Sequence, residues 1–151
     1  MIQLILHLLG DYVLQSDWMA NNKTKRFVPA AVHAIVYSLP FLLLKPSWTA
    51  FAVILVTHFL IDRYRLARFV VWVKNCALCP SSFKHGWPTT WMICGFQEEE
   101  ERDKHHATLC WSNCSATGYP SETPAWLAVG LLIAADNTLH LAINYAALRW
   151  L

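Results

Sequence analysis

Three pairs of histidine and aspartate stand four residues apart in this chain: His7 with Asp11, His58 with Asp62, and Asp136 with His140. That spacing puts both members of a pair on one face of a helix. With 7 histidines and 5 aspartates in 151 residues, random placement gives about 0.45 such pairs, counting either order. His33, one turn before Tyr37, adds an imidazole from another segment. All of these residues sit in apolar surroundings, where an ionisable side chain must be paired, face a bundle interior or line a wet cavity. Bundle-core metal sites are built from such ligands, at helical spacing on facing helices. The expected ligand set is therefore His7, Asp11, His33, His58, Asp62, Asp136 and His140, around one or two divalent cations. Mixed imidazole and carboxylate ligation suits Zn, Mn or Fe better than Ca, which takes oxygen alone, or Cu(I), which takes sulfur. The plainer alternative is that each Asp accepts a hydrogen bond from its neighbouring His and ties helices together without any reaction.

The chemistry that a bound divalent cation suggests is hydrolysis. The ion lowers the pKa of a bound water and polarises a phosphoryl or carbonyl oxygen, while a nearby Asp or His handles the proton. Asp11, Asp62 and Asp136 are the candidate catalytic carboxylates. Lys23 and Arg63 lie close by in sequence and could hold an anionic head group. As inner-interface anchors they would instead serve only to set topology.

These residues have to be positioned by apolar elements. The chain is 56% hydrophobic and 15% charged, against a usual ~45–50% and ~25% for soluble domains, and its mean hydropathy is +0.31. A net charge of +2 offers no electrostatic footprint for DNA or RNA, so nucleic acid is excluded as an expected partner. Four apolar stretches stand out: Ile2 to Ala20, Val28 to Leu44, Trp48 to Ile61, and Pro124 to Leu151. Their lengths straddle the ~17–25 residues that cross a bilayer as a helix; the third is short unless it continues through Arg63 to Lys74. Trp18, Trp48, Trp72, Trp126 and Trp150 fall near stretch ends, where an amphipathic ring suits the boundary between lipid and water. Asp11, Gln15 and Asp17 interrupt the first stretch and no basic region precedes it, so it reads as a retained helix rather than a cleaved signal. The expected fold is all-α, a single membrane domain over residues 1–151 made of about four helices.

Basic residues set the expected orientation. Lys23, Lys25, Arg26, Arg63, Arg65, Arg68 and Lys74 fall on one side, against Lys45 and Arg149 on the other, which puts the first group in the cytoplasm. Residues 75–123 then form one long cytoplasmic loop between the third and fourth helices. It carries Cys76, Cys79, Cys94, Cys110, Cys114, His85, His105 and His106, a solvated run from Glu98 to Glu101, and a turn at Gly118-Tyr119-Pro120. In a reducing compartment the pairs Cys76/Cys79 and Cys110/Cys114 suit a structural Zn better than disulfides, though ordinary free thiols are an equal expectation.

The segments His7-Leu8-Leu9-Gly10-Asp11-Tyr12-Val13-Leu14-Gln15-Ser16-Asp17-Trp18-Met19-Ala20 with Lys23, His58-Phe59-Leu60-Ile61-Asp62-Arg63, and Asp136-Asn137-Thr138-Leu139-His140 together resemble the family of small phage and bacterial membrane proteins called domain of unknown function 3307. Gly118-Tyr119-Pro120 and Asn144-Tyr145 fit it as well. The resemblance implies a phage or prophage source and placement in the bacterial inner membrane, and it names no reaction. The His-x3-Asp habit is also similar to that of membrane-bound metal-dependent hydrolases, although their wider His-rich pattern is missing. The expected function is a metal-dependent membrane hydrolase of a lipid-linked or amphiphilic phosphoester or ester. The alternatives are a non-enzymatic phage-encoded protein that modifies the host envelope or recruits a partner, and, last, an ion path through a homo-oligomer.

Overall fold

In the computed structural model, which describes residues 2–77 and 111–151, the regular elements are helical and the described residues contain no strand. Two compact units emerge, one from Met1–Leu66 with Asp136–Leu151, the other from Ala67–Ala135.

The first unit opens with α1, Ile2–Leu8, which runs into a π-helical turn over Leu9–Val13 closed by a bond from Leu14 N to Leu9 O at 2.9 Å. The first apolar stretch is thus not one helix through Ala20. A second helix, α2, begins afresh at Asp17–Asn22 because Ser16 leaves the helical conformation (ψ 158°) and its hydroxyl caps the new start, accepting from Met19 N. The π turn passes close to the next helix, α3 (Phe27–Ser38): a Cβ added at Gly10 would lie 2.6 Å from Tyr37 Cδ2 and 3.1 Å from Tyr37 O. Glycine is the residue that permits this approach.

Helix α3 tightens into a 3-10 segment over Leu39–Leu44, with Pro40 in its first turn, and stops at Lys45 in the left-handed region (φ 50°). Helix α4, Trp48–Tyr64, starts under a Ser47 cap that accepts from Ala50 N at 3.0 Å. It ends at Arg65, also left-handed (φ 53°), whose N–H bonds back to Asp62 O. The expected continuation through Arg63 to Lys74 is therefore broken at Arg65, and a separate helix, α5, follows at Leu66–Ala77. The core of the first unit comprises Leu6, Tyr37, Phe41, Ala50, Ile54 and Ala147.

In the second unit, Arg68 donates to Ser115 O at 3.0 Å and Asn75 donates to Gly118 O at 2.9 Å. Gly118 (φ 82°) has no room for a Cβ beside the backbone of Arg68 and Trp72, which accounts for glycine at the expected turn. A short helix, α6 (Trp111–Cys114), stacks Trp111 on Phe69 with centroids 4.7 Å apart. Cys76 and Cys114 are buried in one cluster with Trp72. Cys79 and Cys110, the other two residues of the expected zinc set, lie outside the described residues, as do Cys94, His85, His105, His106 and the Glu98–Glu101 run.

The last helix, α7, spans Ala125–Trp150, matching the fourth apolar stretch. Among the described residues, two segments are long and apolar enough to cross a membrane, Phe27–Leu44 and Ala125–Trp150, while Ile2–Val13 is a shorter apolar helix. Only 11% of the most apolar part of α7 is buried, so apolar side chains such as Val129, Leu131 and Ile133 stand on its surface. Trp48, Trp126 and Trp150 are exposed at helix ends.

Candidate metal centre

Asp11 comes from the π turn, His33 from α3, and His58 and Asp62 from one face of α4. One ligand atom from each lies within 4.8 Å of the others, and all four residues are buried. His33 Nε2 is 3.0 Å from Asp62 Oδ2 and 3.3 Å from Asp11 Oδ1; His58 Nε2 is 3.3 Å and 3.5 Å from the same two oxygens. The two Nε2 atoms are 3.0 Å apart. Asp11 Oδ1 is shielded from solvent yet makes no hydrogen bond of good geometry. Lone pairs concentrated in this way, out of contact with water, need a proton or a cation between them.

A second group consists of Asp62, Asp136 and His140, so that Asp62 belongs to both. His140 Nε2 is 3.6 Å from Asp62 Oδ1 and 3.5 Å from Asp136 Oδ2, and it makes no good hydrogen bond although the residue is buried. On its other side, His140 Nδ1 is 3.2 Å from His58 Nδ1. Only one proton fits between those two nitrogens. If His58 turns the lone pair of Nε2 toward Asp11, His33 and Asp62, its Nδ1–H donates to His140 Nδ1, and His140 Nε2–H then faces Asp62 and Asp136. In that arrangement His140 orients a ligand rather than serving as one.

His7, expected as a ligand, belongs to neither group. Its Nδ1 is 2.8 Å from Tyr37 Oη and its Nε2 is 3.2 Å from Asn137 Oδ1. Asn144 donates to Tyr37 Oη at 2.6 Å, leaving the phenol hydrogen free to donate to His7 Nδ1; His7 Nε2–H then donates to Asn137. His7 Nδ1 also lies 3.5 Å from Asp11 Oδ2. With that nitrogen already accepting from the Tyr37 hydroxyl, His7 lies beside the carboxylate without donating to it. Tyr37 itself is fully buried, its ring stacked on His58 at 3.5 Å.

Lys23 enters the centre directly. Its Nζ lies 2.8 Å from Asp62 Oδ2 and 3.2 Å from His33 Nε2. Arg63 points elsewhere: it donates to Thr24 O at 2.8 Å and so ties the segment carrying Lys23 to the end of α4. Sequence reasoning gave no role to Tyr37, Asn137 or Asn144. The signal was present, since Tyr37 follows His33 by four residues and Asn144 follows His140 by four, the same spacing that marked the His/Asp pairs.

Fold and site together define a protein whose described residues form helices, two apolar segments among them long enough to span a bilayer, around a buried His/Asp centre able to hold a cation. Over residues 1–83, more than half of its length, the chain matches the model for a protein of unknown function, DUF3307, and it belongs to that family. Asp11, Lys23, His33, His58 and Asp62 fall within the matched segment, Asp136 and His140 beyond it. No curated protein and no solved structure matches the chain.

Proposed function

We propose that this protein is a metal-dependent hydrolase of the bacterial inner membrane, acting on a lipid-linked or amphiphilic phosphoester or ester. The observation that carries the reading is the convergence of Asp11, His33, His58 and Asp62 from three separate segments on one buried point. A divalent ion held there would supply Lewis acidity and an acidified water. Hydrolysis would add a water across the ester, its oxygen bonding to phosphorus or carbonyl carbon as the bond to the alcohol oxygen breaks and a proton passes to the departing alcohol. Asp136 is the reachable carrier for that proton, being the carboxylate of the set with part of its surface in solvent (29% side-chain exposure) and adjoining His140. The apolar surface of α7 supports a multi-pass placement in lipid, where an amphiphilic substrate would meet the centre from the bilayer.

The test is metal analysis of the full chain purified in detergent, together with hydrolysis of a panel of amphiphilic phosphoesters and esters. Expected are stoichiometric Zn, Mn or Fe, loss of the metal in Asp11→Ala and Asp62→Ala, and loss of turnover with metal retained in Asp136→Ala. No stoichiometric metal, or undiminished metal in both ligand variants, overturns the reading.

One observation favours a second reading. Lys23 already supplies Asp62 with a cation from within the chain, as in a buried network that only ties helices together. The protein would then be a non-enzymatic membrane component that alters the envelope or recruits a partner. Retention of the host phenotype by the Asp11 and Asp62 variants would select it.

A further inference from the structure

The position of Lys23 limits what the centre can hold. Its ammonium nitrogen is within hydrogen-bond distance of Asp62 Oδ2 and His33 Nε2, two of the four candidate ligand atoms. A divalent ion and an ammonium cannot both use the same lone pairs at that range, because like charges a few ångströms apart in a poorly solvated site repel strongly. One of them must move. Lys23 can: its side chain is 19% exposed, long and flexible, whereas Asp62 is 6% exposed and held on α4. Its backbone cannot move far, since Arg63 grips Thr24 O and Lys23 N bonds to Met19 O at 2.8 Å. An expelled ammonium therefore stays at the rim.

Charge decides what it meets there. Asp11 and Asp62 together carry two negative charges, which one divalent ion cancels, and the imidazoles are neutral when they coordinate. With Asp136 as the remaining carboxylate of the set, Lys23 then leaves beside the ion a positive charge that Asp11 and Asp62 no longer pair. A neutral carboxyl ester gains little from it; a phosphate bearing one or two negative charges gains a charge-assisted hydrogen bond.

We infer that Lys23 is an exchangeable counter-ion, which fills the centre before the divalent ion arrives and afterwards turns outward to hold the phosphate of the substrate, a phosphoester. This rests on the metal reading given above and narrows its substrate class. Lys23 is thus a substrate-binding residue, and Arg63, through Thr24, positions it.

The experiment uses the full chain in detergent with Mn2+ and inorganic phosphate as probes, measured by calorimetry. Lys23→Met and Lys23→Gln are expected to bind Mn2+ at least as tightly as the unmodified chain, while phosphate affinity of the Mn-loaded protein falls about tenfold or more. Lys23→Arg is expected to keep most of that affinity. Circular dichroism establishes that each variant is folded. Equal phosphate affinity in loaded Lys23→Met and unmodified protein overturns the inference and leaves the metal reading standing; so does weaker Mn2+ binding by both neutral variants. Absence of Mn2+, Zn2+ and Fe2+ binding by the unmodified chain removes both. A second pair of titrations separates the sources of phosphate. Lys23-dependent binding of micelles containing phosphatidic acid assigns a lipid head group, and Lys23-dependent binding of glycerol phosphate beside phosphatidylcholine micelles assigns a soluble ester. Dependence on Lys23 in neither overturns the inference.

Discussion

The ring of Tyr37 lies flat on the imidazole of His58, with centroids 3.5 Å apart and planes 8° from parallel. The same residue joins His7 and Asn144 through its hydroxyl, so it fixes His58 from one side and ties α1 to α7 on the other. Tyr37→Phe keeps the stack but deprives two buried groups of a partner. A loss of about 1–3 kcal/mol is expected in denaturant titration of the detergent-solubilised protein. Tyr37→Ala also opens a cavity, and about 3–5 kcal/mol is expected. Equal stability of Tyr37→Phe and the unmodified chain would show the hydroxyl network to be incidental.

His58 and His140 touch through their Nδ1 atoms but should behave differently on substitution. On the proposed metal reading, His58→Ala removes a ligand and is expected to abolish stoichiometric Mn2+ binding. His140→Ala removes only the group that orients His58, so one equivalent still binds, with affinity lower by about 10–100-fold. Isothermal titration distinguishes the two, and identical losses of stoichiometry would make His140 a ligand.

Gly10 is required by the closeness of the π turn to α3. Gly10→Ala places a methyl group 2.6 Å from a ring atom of Tyr37 and close to α3 backbone, where there is nowhere to retreat. A destabilisation of about 1–3 kcal/mol is expected from overpacking alone. Because Tyr37 carries His58, weakened Mn2+ binding should accompany it; a variant that is stable and binds normally would contradict this packing.

The apolar surface of α7 predicts retention in the membrane fraction after an alkaline carbonate wash. Ile133→Lys, on an exposed position well inside that helix, should reduce retention, since a lysine costs up to about 2.5–3.5 kcal/mol in insertion toward the centre of a span. Full release of the unmodified protein by carbonate would rule out a spanning α7.

Periodicity made much of this molecule legible. The fourth apolar stretch became α7 almost residue for residue, and the His/Asp spacing found five of the six ionisable residues in the two donor groups by pairing. His33 came from its apolar setting alone. Spacing is a property of one helix, however, and it does not tell which neighbouring element a face will meet; His7 shares a face with Asp11 yet turns to Tyr37 and Asn137. The breaks at Leu9–Val13 and Arg65 were hidden for a related reason. Each depends on a close approach or a backbone conformation that carries no mark in hydropathy. Lys23 read as a head-group holder or a topological anchor, and not as a partner of the centre, because Asp62 and His33 are distant in sequence.

Asp62 is reached from four places along the chain: Lys23 before α3, His33 within it, His58 one turn earlier on its own helix, and His140 near the far end of the sequence. Removing any one of these segments takes a donor or a cation away from a buried carboxylate, so the charge of Asp62 couples distant parts of the chain to one another.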